Sequence, residues 1–282
     1  AGVLAGADQG ARFEEIRSGL AETDAVIARD AAAPMSKLVL WFEHDLFDQL
    51  ILIRTLDLLR PASANVRLVC IGAFPGVDRF IGLGQLTVEQ LATLDGTGVP
   101  VTDDHYAIAA DAWSAFRSPD PRDLLALAEN VKDLDAGPRA PLPFLRDALL
   151  RLLAEYPSTI NGLSRTETLA LDALSGGEAT SHQLFAATQA REPRPFLGDT
   201  TFFGILHELS AAARPLVART PAADGEPGSD RIALTGAGRD VLAGRADHVR
   251  LNGIDRWRGG VHLTSADGGP WRWDSRRETL VR

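Results

Sequence analysis

The sequence predicts a mixed chain of α/β plus α+β class: a parallel-sheet unit, a run of helices, then a second unit of helices and short strands. Three observations predict it. Two continuous apolar runs bounded by breakers, "KLVLWFE" (37–43) and "NVRLVCIGAF" (65–74), flank a stretch of helical period. Buried parallel strands read this way because both faces are covered, and strand, helix, strand within this length is a crossover unit. Later, three segments of helical period lead into a hairpin, and aromatic runs punctuated by Gly close the chain. Together these predict a Rossmann-like α/β domain over residues 1–102, incomplete at its N-terminus. A helical connector follows over 103–157, then a winged helix-turn-helix module over 158–282 that ends in a C-terminal β-hairpin.

Each element has its own signal. Residues 11–29 place Phe13, Ile16, Leu20 and Ile27 near helical spacing, and "AAAPMS" breaks the pattern. After the first strand, Leu46, Leu50, Ile53, Leu56 and Leu59 recur on one side of a helix that Pro61 stops. "PGVDRFIGLGQL" is a Gly-rich loop, and Thr87 caps the short helix "VEQLATL". Residues 103–130 are helical but cut by "SPDP"; "DAGPRAPLP" is a linker; 144–156 is a helix with Leu145, Leu149, Leu152 and Leu153 apolar. Helices follow over 164–174, 181–191 and 199–213, the first with Ser164 and Glu167 at capping-box spacing. "PLVART" and "RIALTGAGRDVLAG" supply a hairpin and a turn of helix. "LNGIDRWRGGVHL" and "GGPWRWD" read as two aromatic strands.

Composition narrows the function classes. The 282 residues are 45% apolar and 24% charged, with no run near the roughly 18 apolar residues that span a bilayer. The opening "AGVLAGADQGARFEEI" has no basic start and too short an apolar core for a secretory signal. No initiator Met leads it, so a processed chain or a fragment is expected. The single Cys70 excludes an internal disulfide and a cysteine zinc cluster, reads as a small core residue, and fits the cytoplasm. The net charge of −9 is uneven: residues 250–282 hold seven Arg against four acids, leaving −12 on the rest. That acidic body repels nucleic acid and anionic membranes.

The candidate site lies where the first strand ends. Ligands of parallel sheets sit beyond the carboxyl ends of strands, which is where Glu43, His44 and Asp45 fall. Asp45, Asp48 and Gln49 are spaced i, i+3, i+4, so they share one face of the first helical turn, at the positive end of the helix dipole. Asp45 and Asp48 are candidate ligands for a divalent metal, which takes one or two carboxylates together with substrate oxygens. Glu43, His44, Asp45 and Asp48 are candidate catalytic groups, His44 titrating near neutrality. Ordinary helix capping by Asp45 and Asp48 is the competing account. Arg79 in the Gly-rich loop is a candidate anion contact, beside Gly82 and Gly84.

The predicted recognition helix, "DTTFFGILHELSAAA", has no Arg or Lys, and the wing loop carries Asp224, Glu226 and Asp230. Duplex DNA is therefore disfavoured as a partner, and a protein contact is favoured for this module. The tail interleaves Arg256, Trp257, Arg258, Trp271, Arg272 and Trp273, a mixture that stacks bases and pairs phosphates. Strand alternation offers the plainer account, with Trp271 and Trp273 buried on one face and His262 an ordinary strand residue.

The phrases "LWFEHDLFDQL", "GLGQLTVEQL", "LPFLRDAL", "NGLSRTE", "FLGDTTFF" and "LNGIDRWRGGVHL…PWRWD" resemble, from about Leu38 to the end, an uncharacterised bacterial family, domain of unknown function eighteen thirty-five. The resemblance implies that Glu43, His44, Asp45, Asp48 and Gln49 form a site. It adds Asn252, Asp255, Arg256, Trp257 and His262 as ligand-binding candidates. It also implies an earlier "GD" strand-helix unit and an "HEGP" loop, absent from this sequence, and it carries no activity over. The leading expectation is an enzyme dependent on a metal or a phosphate-bearing ligand. The rival is a non-enzymatic regulator that contacts protein or nucleic acid through the winged helix and the Arg/Trp tail.

Overall fold

A computed structural model describes residues 6–32, 37–60, 65–131, 140–223, 225–226, 228–266 and 268–282. Pro61, residues 33–36 of the first breaker, residues 135–139 of the linker, Asp224, Asp267 and the side chain of Phe13 lie outside them.

Helix α1 (Gly6–Ala32) precedes strand β1 (Lys37–Glu43), helix α2 (Leu46–Leu59) and strand β2 (Asn65–Ile71). β1 and β2 pair in parallel from Lys37↔Asn65 to Glu43↔Ile71, as the apolar runs predict. Asp45 caps α2 by accepting from the Asp48 N–H at 3.0 Å. The predicted apolar face of α1 docks only at its C-terminal end, where Ile27 and Ala31 meet Leu38 and Leu59; Ile16 and Leu20 are exposed. Thr87 caps α3 (Val88–Ala92), and β3 (Val99–Pro100) then adds an antiparallel strand to β2. This mixed sheet differs from the all-parallel expectation because a two-residue strand has no periodicity to read.

Helices α4 (Asp103–Arg117), α5 (Arg122–Asn130) and α6 (Leu145–Leu153) pack with α2 in one core. Leu52, Ile53 and Leu56 of α2, Ala109 and Ala112 of α4, and Leu145, Leu149 and Leu153 of α6 are wholly out of water. Each such leucine contributes about 1.5–3 kcal/mol by burial. Val261, Leu263 and Trp273 from the end of the chain complete this core.

A second core joins α7 (Arg165–Ala173), α8 (Ser181–Arg191) and α9 (Asp199–Ala211) to a small antiparallel sheet. β4 (Ala179–Thr180), β5 (Val217–Thr220) and β6 (Arg231–Leu234) are ordered β4-β6-β5. The Ser164–Glu167 capping box opens α7 as predicted. Helix α10 (Gly236–Leu242) follows, and then α11 (His248–Asn252), which has too few residues to show a period.

The tail corrects the expectation of a single hairpin. "DRWR" and "VHLT" are β7 (Asp255–Arg258) and β8 (Val261–Thr264), an antiparallel ribbon by themselves. Its turn lies on the end of α4: the Gly260 N–H donates to the Phe116 carbonyl at 2.8 Å, and a Cβ on Gly260 would collide with the Arg117 carbonyl. "RWD" is β9 (Arg272–Asp274), paired with β10 (Thr279–Val281) in a second ribbon. No described helix is long and apolar enough to cross a membrane.

Candidate functional site

The turn from β1 to α2 gathers three carboxylates. Glu43, Asp45 and Asp48 each present one oxygen within 4.8 Å of the others, the only such group of ligating side chains among the described residues. Backbone N–H groups hold each one. Asp48 accepts from the Glu43 N–H at 2.6 Å, Asp45 from the Asp48 N–H at 3.0 Å, and Glu43 from the Leu83 N–H at 2.6 Å. The last contact needs Gly82, where a Cβ would collide with the Glu43 carboxylate. Each carboxylate is thus anchored by at least one backbone N–H.

Burial pushes all three above the ordinary carboxylate range, the N–H contacts pull the other way, and neighbouring carboxylate charge raises Glu43 and Asp45 further. Gln49, wholly buried, donates its amide N–H to the Glu43 carbonyl at 2.6 Å while its Oε1 has no partner. His44 is buried against Phe80 and Phe144 with Nδ1 without a partner; burial, then the Arg194 charge, lowers its pKa and favours the neutral ring. Cys70 lies beneath, its thiol pushed up to about 12 by burial and so no nucleophile.

Arg79 does not join this group, and its expected role as an anion contact is corrected. Its guanidinium donates to the backbone carbonyls of Gln189 and Glu192, at 2.6 and 2.9 Å, where α8 ends. Helix ends carry unsatisfied carbonyls and attract cations.

The tail residues divide between two faces. Asn252, Asp255 and Arg256 line a cleft of about 540 Å³ bounded by α7, α9, α11 and the β7–β8 ribbon. Arg256 bridges Glu167 of α7 at 3.0 Å and Glu208 of α9 at 2.7 Å. The Asn252 side chain holds the backbone of Arg214 and meets His248 Nδ1 at 3.1 Å. Trp257 and His262 are exposed on the opposite face, their rings stacked at 4.6 Å and 3°, with His262 Nε2 2.6 Å from Asp255 Oδ1. Arg272 pairs with Asp247 through two contacts at 2.7 and 2.9 Å. Of the two accounts of the interleaved Arg and Trp, the arrangement follows the plainer one: strand alternation turns Arg256 inward, and Arg272 is held by Asp247. Trp273 is buried as predicted, and Trp271 is half-buried under Arg122 and Arg282.

Glu167, Glu208 and His248 of the cleft were not among the sequence candidates. Glu167 was legible only as a cap, and the i, i+4 pair His248–Asn252 was the one available signal. No protein-family model matches this sequence, and no curated protein matches it.

Proposed function

We propose that this chain is an enzyme that binds a divalent cation through Glu43, Asp45 and Asp48 and acts on a small phosphate-bearing molecule. The observation that carries the reading is the convergence of three partly desolvated carboxylate oxygens within 4.8 Å. Crowded, partly desolvated carboxylates are the oxygen donors a hard cation takes, and N–H contacts behind them fix their orientation. In this reading the cation supplies electrostatic stabilisation of the phosphate, Glu43 shares in binding it or moves a proton, and neutral His44 accepts a proton at Nδ1.

The same proposal takes the β1–α2–β2 unit as Rossmann-like, supported by its parallel register and by a site at the strands' carboxyl ends. It takes α7 to β6 as a winged helix, supported by three helices leading into the β4-β6-β5 sheet. Kinship with domain of unknown function eighteen thirty-five and residence in the cytoplasm belong to this proposal too. The rival reading, a regulator that contacts protein, draws on the exposed Trp257.

Thermal unfolding with Mg²⁺ and Mn²⁺, followed by a screen of phosphomonoesters and nucleotides, tests it. A rise in Tm that Glu43→Gln, Asp45→Asn and Asp48→Asn each abolish is expected. Unchanged Tm together with no heat of metal binding in calorimetry would refute the cation site.

A further inference from the structure

We propose that the cleft between the loop before α7, the turn from α10 to α11 and strand β10 binds an aliphatic monocarboxylate, its chain on the apolar walls and its head on Arg250. The cleft holds about 520 Å³, within the roughly 300–1,000 Å³ of small-ligand sites. Its floor is fixed. Arg272 donates to both oxygens of Asp247, at 2.7 and 2.9 Å, and to the Ser158 carbonyl at 3.0 Å. Both side chains of that pair are largely buried, so the Asp247 charge is offset where it lies. Three large apolar side chains stand partly in water on the walls. Ile160, Leu251 and Val281 are 56%, 37% and 44% exposed, and all three line this one cleft. Exposed apolar residues scattered singly are ordinary, but several gathered on one concave surface mark a place of contact.

The charge around those walls selects the occupant. Arg245, Arg250 and Arg272 line the cleft against the single carboxylate of Asp247, so cations are disfavoured by sign. Arg245 is taken by Asp240, at 2.7 and 3.0 Å. The Arg250 side chain forms no hydrogen bond or ion pair among the described residues; only its backbone N–H is used, donating to Asp247. Its charge is felt at Asp247, which Arg272 already pairs. A guanidinium receives a carboxylate through two parallel N–H···O bonds, so one free guanidinium matches one carboxylate. An aliphatic chain behind that carboxylate covers Ile160, Leu251 and Val281. An inorganic anion would leave those walls in water, and a neutral hydrocarbon would leave Arg250 unused.

Calorimetric titration of the full chain with octanoate tests the proposal, with acetate and octylamine as controls. Saturable binding of octanoate is expected, with acetate and octylamine each weaker by about tenfold or more. Arg250→Gln should weaken octanoate by about tenfold or more, because the head loses its partner, and Arg250→Lys should restore part of the loss. Leu251→Ser should weaken it by about threefold to tenfold by removing part of an apolar wall. Glu43→Gln should leave it unchanged, which separates this cleft from the carboxylates at the end of β1. Arg250 is exposed, so its variants keep the fold, which melting curves verify. No heat with octanoate, octylamine bound as tightly, or unchanged affinity in Arg250→Gln would overturn the proposal. So would a wild-type dimer in sedimentation that Leu251→Asp splits, since a second copy of the chain would then cover these walls.

Discussion

The carboxylates at the end of β1 and those behind the β7–β8 ribbon are held in opposite ways. Burial raises Glu43, Asp45 and Asp48, and their N–H contacts do not offset it. Burial also pushes Glu167 and Asp247 up, but cations reverse the outcome. Arg256 above all, with the Ser164 N–H, brings Glu167 below its ordinary value, and Arg272, with the Arg250 N–H, does the same for Asp247. A partner guanidinium turns a buried carboxylate into a tie between helices. Carboxylates crowded without one keep their electrostatic cost until a cation arrives from outside.

The largest expected break in this contrast is Glu167→Ala. It leaves Arg256 with only the exposed Glu208 and should cost about 3 kcal/mol in a denaturant titration, the low end for removing one partner of a buried pair. A loss below about 1 kcal/mol would mean that the pair is not a tie at all.

Next is the pH dependence. Glu167 has a lowered native pKa, so its contribution is fully present above its unfolded value of about 4.3 and is lost as pH falls through the native value. The wild type should therefore lose stability in acid more steeply than Glu167→Gln. Parallel pH profiles for the two proteins would remove Glu167 from the account.

The smallest effect sharpens the other side. Asp45→Ala removes the cap of α2 and should cost about 1 kcal/mol, whereas Asp45→Asn keeps a good cap and should cost only a few tenths. If Asp45→Asn leaves both the melting temperature and the response to Mg²⁺ untouched, Asp45 is a cap and nothing more.

What was legible in the sequence was local. The apolar runs of β1 and β2, the caps Asp45, Thr87 and Ser164, and the acids at the strand end all follow from neighbours within a few positions. Arg79 could not be placed, because its carbonyl partners lie 110 and 113 residues away. Arg256 likewise meets Glu167 and Glu208 across 89 and 48 residues. β3 and α11 have two and five residues, too few for a period to emerge; pairing or packing defines them. The split of the tail was half legible. Alternation put Trp271 and Trp273 on one face, but only the fold reveals that the acids of α7 and α9 lie on the side of Arg256.

The loop from Arg79 to Leu83 is tethered at both ends. Arg79 grips the end of α8, and the Leu83 amide holds Glu43. Four peptide links span at most about 14 Å, so the two anchors can part only by that length and the reach of the Arg79 side chain. Rocking of α8 away from the sheet beyond that reach would tug at Glu43, and a cation seated on Glu43 would in turn restrain α8 at that limit. The two hydrophobic cores are, in mechanical terms, leashed together at the rim of the strands.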